Sequence, residues 1–497
     1  MRTLAPMAVA ALALLGACAT HAPSGVPAVS VPASFSKGPS GPVTGEAQWW
    51  TAFNDPVLTG LVTRALAGSP EVQQTLARVR EAREQEAITR GGHGPQVNAS
   101  AQASQARLSR NALPSALSGL FSGNPGQGGS GGGIGLPGEA FTTYQAGFDA
   151  SWELDMFGGQ KSADQSAHDR AEAASWSARD ARVVLTAEVA NTYQQYRALQ
   201  RRLALADQVL ATQREALDFL QVRARNGLNM DSDVRQQERA VEQAQAQRDD
   251  LAAQTQARLH ALSTLLGLSP NALAGELAVA PNAAPTLVDV PPGLPSELLK
   301  RRPDIRAAER QVAAANSDVG VATADLYPKV TLTGALQLAS RSLSNLLEND
   351  SLQDNASGRI SLPLLNRGRL HATVRLRQAQ ADEAAAAYRK AVFGALRDVE
   401  DGLTRLDADR HRLGQLKAAT AAASDESDAS VVRYRNGLIA AGDMLRARQT
   451  WQAACDAQIQ AEAAAAQDMA ALYKALGGGW DDRRTLTHED KPNGHGA

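Results

Sequence analysis

The tetrapeptide Arg225-Asn226-Gly227-Leu228 recurs as Arg435-Asn436-Gly437-Leu438, 210 residues further on, and this repetition constrains the chain more than any other feature. At the same spacing Val189 falls on Val399, Val222 on Val432, Asp233 on Asp443 and Leu266-Gly267 on Leu476-Gly477. A chain made of two copies of one unit folds as two similar halves, so the 497 residues form one duplicated body rather than a string of unrelated domains. Each tetrapeptide lies between two long helical runs. Glycine tolerates the left-handed backbone that ends a helix, so each copy reads as the tip of a helical hairpin.

A second spacing extends the duplication upstream. At an offset of 233 residues Pro70 maps to Pro303, Val72 to Ile305, Val79 to Val312, Ala82 to Ala315, Pro95 to Pro328 and Val97 to Val330. The fall from 233 to 210 means that the first half carries 23 extra residues. The Gly-rich stretch 119–138, which has no hydrophobic pattern, accounts for them as a loop.

Beside this loop the hydrophobic period changes to strict alternation. Tyr144, Ala146, Phe148, Ala150, Trp152 and Leu154 share one face of a strand, and Thr143, Gln145, Gly147, Asp149, Ser151 and Glu153 the other. Val97, Ala99, Ala101 and Ala103 repeat the pattern more weakly; Val330, Leu332, Leu336 and Leu338 repeat it in the second half, as do Ile360, Leu362 and Leu364. The chain therefore offers four strands, at 95–108, 142–155, 328–339 and 356–365, each long enough to cross a bilayer within a barrel. Four strands cannot close around a pore, and open sheet edges are not viable in lipid, so other copies of the chain must complete the barrel.

Residues 159–225 form a run of roughly 100 Å if helical, and the return segments 230–267 and 303–327 span roughly 55 Å and 37 Å. Val189, Tyr196, Leu203, Leu210 and Leu217 recur every seven residues, with Leu199, Ala206 and Leu220 three further on, which is a coiled-coil seam. A plain fibrous coiled coil shares that signature but has no use for alternating strands. Asp, Glu and Arg along these helices have the spacing of solvated faces. The Pro-rich stretch 268–302 reads as a collar at mid-height, with residues 46–68 and the polar tail 478–497 packed beside it. The first repeat thus covers 46–267 and the second 303–477.

Residues 1–17 have the charge, apolar stretch and small-residue end of a signal peptide. Leu15-Gly16-Ala17-Cys18 resembles a bacterial lipobox, which implies acylation of Cys18, and Ala19 in place of Asp implies sorting to the outer membrane. Residues 18–45 follow as a tether without helical period. Past the signal peptide no run of 18 apolar residues exists for a membrane helix. With Cys18 acylated, Cys455 has no disulfide partner. A net charge of −2 and 4 % aromatics give no nucleic-acid footprint. The eight His residues show no ligand spacing, and nucleotide, nucleophile-elbow and zinc-protease motifs are missing, so no metal, cofactor or catalytic group is expected.

Trp49-Trp50 with Phe53, Asp55-Pro56 and Leu61-Val62 resembles the opening of the TolC-like outer membrane efflux proteins, in their lipoprotein (NodT/OprM-like) branch. The run 301–330 (RRPDIRAAERQVAAANSDVGVATADLYPKV) resembles that branch's most characteristic stretch, and WELDMFG at 152–158, PLLNRGR at 363–369 and LYKALGGGW at 472–480 resemble its other landmarks. The resemblance implies a mainly α protein with a membrane β-barrel: a homotrimer whose 12-stranded barrel in the outer membrane of a Gram-negative cell continues into a periplasmic α-helical barrel. It implies an exit duct of a tripartite efflux system, passively conducting drugs or other small toxic molecules. The partners would be a periplasmic adaptor protein and an inner-membrane pump, often of the resistance-nodulation-division class. Arg225, Asn226, Gly227, Leu228, Arg435, Asn436, Gly437 and Leu438 match the family's adaptor-contacting tips. Beyond the second tip the family places two acidic residues that ring the closed aperture; here the positions are Asp443 and Arg446, with Asp233 as the first-repeat counterpart, so an Asp443/Arg446 ring closed by salt bridges is expected. An exit duct for secreted polypeptides and a non-conducting structural lipoprotein are the alternatives.

Overall fold

The computed structural model describes residues 25, 28–37, 47–107, 140–279 and 284–480. The signal peptide, Cys18, the insertion 119–138 and the tail beyond Trp480 lie outside the described residues. The chain divides into two compact units, one holding Arg83–His168 and Ala313–Asp382, the other Val26–Ala82, Asp169–Val312 and Glu383–Ala497.

The first unit is built on one antiparallel sheet in the order β1 (Gln96–Arg107), β2 (Ala140–Leu154), β3 (Lys329–Ser340) and β4 (Leu352–Ser361). Its register aligns Ala99, Phe148, Leu336 and Asp354 across the four strands, and Val330 with Ile360. Since side chains alternate along a strand, this places Val97, Phe148, Trp152, Leu332, Leu336 and Ile360 on one face, and all six are exposed. The opposite face is polar, with Asn98 donating to Asp149 (3.2 Å), Gln337 to Gln353 (3.3 Å) and Thr333 bonded to Ser357 (2.8 Å). The alternation of Ile360, Leu362 and Leu364 suggests a strand over 356–365; the observed β4 starts at Leu352 and stops at Ser361. Pro363 has no N–H for a ladder, so the apolar rhythm outlasts the strand. At the foot of the sheet Trp152 donates to the His93 carbonyl (3.2 Å) and Phe157 stacks on Tyr327 at 4.9 Å.

In chain order the helices are α1 (Pro56–Gly68), α2 (Pro70–Gly92), α3 (Gly159–Arg225), α4 (Asp231–Leu265), α5 (Ala274–Leu277), α6 (Pro295–Arg301), α7 (Pro303–Ala324), α8 (Arg367–Arg435) and α9 (Ala441–Ala475). Among the described residues no helix is long and apolar enough to cross a membrane. Two of them, α3 with 67 residues and α8 with 69, form the long arms of the hairpins. The heptad seam of α3 buries Val189, Tyr196, Leu199, Ala206 and Leu210, then passes to Thr212, Gln213 and Ala216 toward the tip. There the apolar pattern gives way to a polar clasp, in which Gln237 donates to the Gln213 carbonyl (3.0 Å) and side-chain oxygen (2.7 Å).

The large core of the second unit gathers Trp49, Trp50 and Phe53 with α1 (Leu58, Leu61, Val62), mid-α3 (Leu185, Tyr193), the connection (Leu277, Leu298), α8 (Val399, Leu403) and α9 (Met469, Leu472). Trp49 is fully buried and stacks on Tyr473 at 5.2 Å. Asp55 explains its own place in the motif: one carboxylate oxygen caps α1 by accepting from the Val57 and Leu58 N–H groups, and the other accepts from the Tyr193 hydroxyl (2.6 Å). Arg302 grips Asp304 through two hydrogen bonds (3.0 and 2.7 Å) and donates to the Ala475 carbonyl (2.8 Å), tying the start of α7 to the end of α9.

Residues 28–37 contain no helix or strand yet are not a free tether. Val29 and Val31 pack against the cluster of Ile305, Val312, Tyr388 and Val392, Phe35 joins the large core, Ser36 donates from its N–H to Glu400 (2.9 Å), and Lys37 pairs with Asp407 (2.7 Å). Eight extended residues cover about 27 Å, and Tyr388 to Asp407 along α8 rises about 28 Å. The segment lies as a strap along that helix, with bends at Ala33, Ser34, Ser36 and Lys37.

The duplication is most exact at the helix ends. Gly227, Gly267, Gly437 and Gly477 have φ of 68°, 74°, 72° and 73°. In each, the glycine N–H donates three residues back and the next N–H five residues back, as in Leu228 to Arg223 and Leu268 to Ser263, which is the Schellman cap. The positions differ in their surroundings: a Cβ on Gly267 would lie 2.7 Å from the Gly68 carbonyl oxygen, whereas one on Gly227 meets nothing within 4 Å. Gly227→Ala is expected to cost about 1–2 kcal/mol from the left-handed backbone alone, and Gly267→Ala more. Thermal melts of the two variants check this, and equal losses would contradict the packing account.

Candidate functional site: the hairpin tips and the helical wall

The two tips are superimposable in design. Turn 226–230 joins α3 to α4 and turn 436–440 joins α8 to α9. Arg223 and Arg225 end α3, and Arg433 and Arg435 end α8, where cations complement the exposed carbonyls of a helix C-terminus. Asn226 donates to the Val222 carbonyl (2.7 Å) and Arg225 to that of Gln221 (3.3 Å), so both side chains fold back on their own helix. This leaves the apolar residues outermost: Leu228 and Leu438 are 63 % and 72 % exposed, flanked by exposed Val222 and Val432. Met230 adds to the first tip, where the second has Ala440.

Asp233 and Asp443 occupy the same place in the two repeats but have different partners. At the first tip Arg223 donates to the Asn229 side chain (2.7 Å), which donates to Asp233 (3.3 Å). Ile439 stands where Asn229 stands, so this relay has no second copy. Asp443 instead pairs with Arg446 three residues on, in place of the first repeat's Gln236. The pair forms between residues of one helix, and both side chains remain substantially exposed.

The wall between the hairpins carries polar contacts that helical charge spacing did not single out. Arg201 pairs with Glu462 (2.7 Å), Arg202 with Asp456 (2.6 Å) and Gln195 with Gln467 (3.1 Å), all joining α3 to α9. Glu462 is buried, so it departs from the solvated-face reading; i,i+4 spacing cannot separate an acid facing water from one facing another helix's arginine. On α9, Asp468 has its pKa pushed up to about 6, first by burial, then by a hydrogen bond and charge repulsion from Asp409, against the opposing pull of Arg405.

An antiparallel sheet with one uncovered apolar face, in a chain of long helical hairpins, is the architecture of a class of outer membrane channel proteins. The chain belongs to the outer membrane efflux protein family, which it matches over residues 61–268 and 294–478. It is 33 % identical to the pyoverdine export outer membrane protein OpmQ of Pseudomonas aeruginosa, covering 97 % of this chain and 98 % of that one. It is 32 % identical to the outer membrane protein OprJ of the same species, covering 95 % of each. It is 31 % identical to the toluene efflux pump outer membrane protein TtgF of Pseudomonas putida, covering 88 % and 86 %. A crystal structure of a membrane protein from Pseudomonas aeruginosa superposes with a TM-score of 0.83 at 30 % identity, covering 95 % of this chain and all of that one.

Asp468 makes a stability prediction. Its native carboxyl holds a proton up to about pH 6, while the unfolded one releases it near its ordinary 3.8, so the native state gains as pH falls through 6 and the gain is complete below 3.8. Asp468→Asn should melt above the parent at pH 7.5, and the difference should shrink by pH 5. A difference independent of pH would remove Asp468 as the titrating group.

Proposed function

We propose that the chain is the passive exit duct of a tripartite efflux system, in which three copies contribute four strands each to a 12-stranded outer membrane barrel and their hairpins form the periplasmic tunnel. The observation that carries this is the sheet: its apolar face is uncovered, its other face is polar, and among the described residues β1 and β4 have no outer neighbour. In hydrocarbon such edges require partners, and copies of the same chain supply them symmetrically. Cys18 is the acylated anchor.

The tips, residues 225–228 and 435–438, dock a periplasmic adaptor through exposed Leu228 and Leu438, and the adaptor joins an inner-membrane pump of the resistance-nodulation-division class. The cargo is a drug or other small toxic molecule; relatives named for toluene efflux and pyoverdine export support a small organic cargo. Asp233, Asp443 and Arg446 lie just behind the tips and form the periplasmic gate. With Asp443 countered by its own chain's Arg446, this aperture is less acidic than a ring of paired carboxylates.

Mass photometry of the detergent-solubilised protein should give a trimer, and planar bilayers should show a channel; a conducting monomer would overturn the architecture. Leu228→Asp with Leu438→Asp should abolish adaptor cross-linking while leaving the trimer intact. Arg446→Ala should unmask three Asp443 carboxylates and raise cation over anion permeability, read as a shifted reversal potential in a salt gradient. An unchanged potential would take Arg446 out of the gate.

A further inference from the structure

The apolar face of the sheet carries one charge of each sign among the described residues, and the two lie on the strands that have no outer neighbour. Along that face β1 presents Ala99, Ala101 and Ala103 and ends on Arg107, while β4 presents Asp354 between Leu352 and Ala356. The matching positions of β2 and β3 are all uncharged. Arg107 and Asp354 are both exposed, and neither side chain makes a hydrogen bond or ion pair among the described residues. Each stands in the half of its strand remote from the helix it joins, α2 for β1 and α8 for β4. A lone charge facing hydrocarbon is unfavourable, and these two complement each other.

The register within one chain limits how two copies can meet. Direct partners run Ala99, Phe148, Leu336, Asp354 across the sheet, so an unstaggered second copy would set its Ala99 opposite Asp354. Only residues 352–357 of β4 would then have partners, because β1 starts at Gln96, which falls opposite Ser357. Stepping β4 toward the Arg107 end of β1 repairs this. The step must be even to keep the apolar faces together. Steps of four and six are the two that give all 10 residues of β4 a partner within the 12 of β1. Three seams stepped by six give a shear of about 18; with about 3.3 Å per residue and about 4.8 Å between strands, a twelve-stranded barrel then tilts by about 46°. A step of four gives about 35°, and barrels tilt by about 35–45°. The two steps differ in what Asp354 meets. A step of four sets it against Ala103, whereas a step of six sets it against Gln105 with Arg107 on the diagonal, about 7–8 Å away and within reach of a long side chain.

We propose that adjacent copies join β4 to β1 in the six-residue step, and that Asp354 of one copy accepts hydrogen bonds from Arg107 and Gln105 of the next on the outer face of the seam. The site is incomplete in a single chain, since its acid and its base sit on opposite edges of the sheet. Slipping by two residues to the other full register would part Asp354 from Arg107, so the pair selects the register as well as neutralising the face. This inference rests on the barrel reading given above.

The test uses the full-length protein in detergent, with mass photometry of the parent first. In a Cys455→Ala background, Asp354→Cys with Gln105→Cys should form covalent dimers and trimers on oxidation, and Asp354→Cys with Ala103→Cys should not. Arg107→Asp and Asp354→Arg should each speed trimer dissociation in SDS by about tenfold or more, and the two together should return it to within about threefold of the parent. Cross-linking through Ala103 in place of Gln105 would overturn the register. Single reversals that match the parent, as charges lying among lipid headgroups would give, or a double reversal that rescues nothing would overturn the ion pair; in each of these cases the trimer itself stands. A monomeric parent would overturn the barrel reading, and this seam with it.

Discussion

An unpaired peptide group has no water to turn to in hydrocarbon, and that constraint governs what this chain can be. Among the described residues its four strands pair across three ladders, and the outer sides of β1 and β4 have no neighbour. The face that would meet lipid carries Val97, Phe148, Leu336 and Ile360, with Asp354 of β4 also on it. The polar face keeps its own hydrogen bonds, with Asn98 on Asp149 and Thr333 against Ser357. Open edges of this kind are not viable in hydrocarbon, and that is the physical ground of the proposed barrel.

Helices of 67 and 69 residues present the second physical problem, since a slender hairpin has little core of its own. The chain answers it by concentrating apolar burial at one level of the second unit. Trp49, Trp50 and Phe53 enter from the N-terminal side, Leu277 and Leu298 from the connection, and both long helices meet them there. The polar ties at this level are specific. Asp55 serves a helix cap and the Tyr193 hydroxyl at once, so a charge that starts α1 also fixes α3. Toward the tips the seam thins to Ala216 and the Gln213–Gln237 clasp, and α3 is held to α9 by ion pairs. Apolar burial is therefore greatest at the core and smallest at the tips.

Much of this was legible in the sequence because it rests on backbone periodicity. Strands β1 to β3 announced themselves by alternation, and the hairpin tips by Gly227 and Gly437 at a fixed spacing. The misplaced end of β4 shows the limit: Leu362 and Leu364 keep the rhythm, but Pro363 cannot keep the ladder. The strap lacks a helical period, yet its apolar residues Val29, Val31 and Phe35 sit at alternate positions and carry a usable signal. Glu462 and Gln452 carried none. Each is a polar residue in a helix rich in polar residues, and only the neighbouring helix decides that it is buried.

The two repeats differ in a way that separates backbone from side-chain demands. All four Schellman glycines have φ within a few degrees of one another, because ending a helix makes the same request of the chain wherever it occurs. Side chains answer to their neighbours, and the neighbours differ. Arg201 and Arg202 face Glu462 and Asp456, yet at the 210-residue offset their counterparts are His411 and Arg412, and those of the acids are Ala252 and Ala246. Asn229 holds Asp233, while Ile439 leaves Asp443 to Arg446. The duplication thus preserved what the polypeptide needs in order to turn and released what each surface needs in order to bind. The residues that distinguish this duct from its own repeat lie along the seams and just behind the tips, and chemical specialisation of the two hairpins has to be sought there.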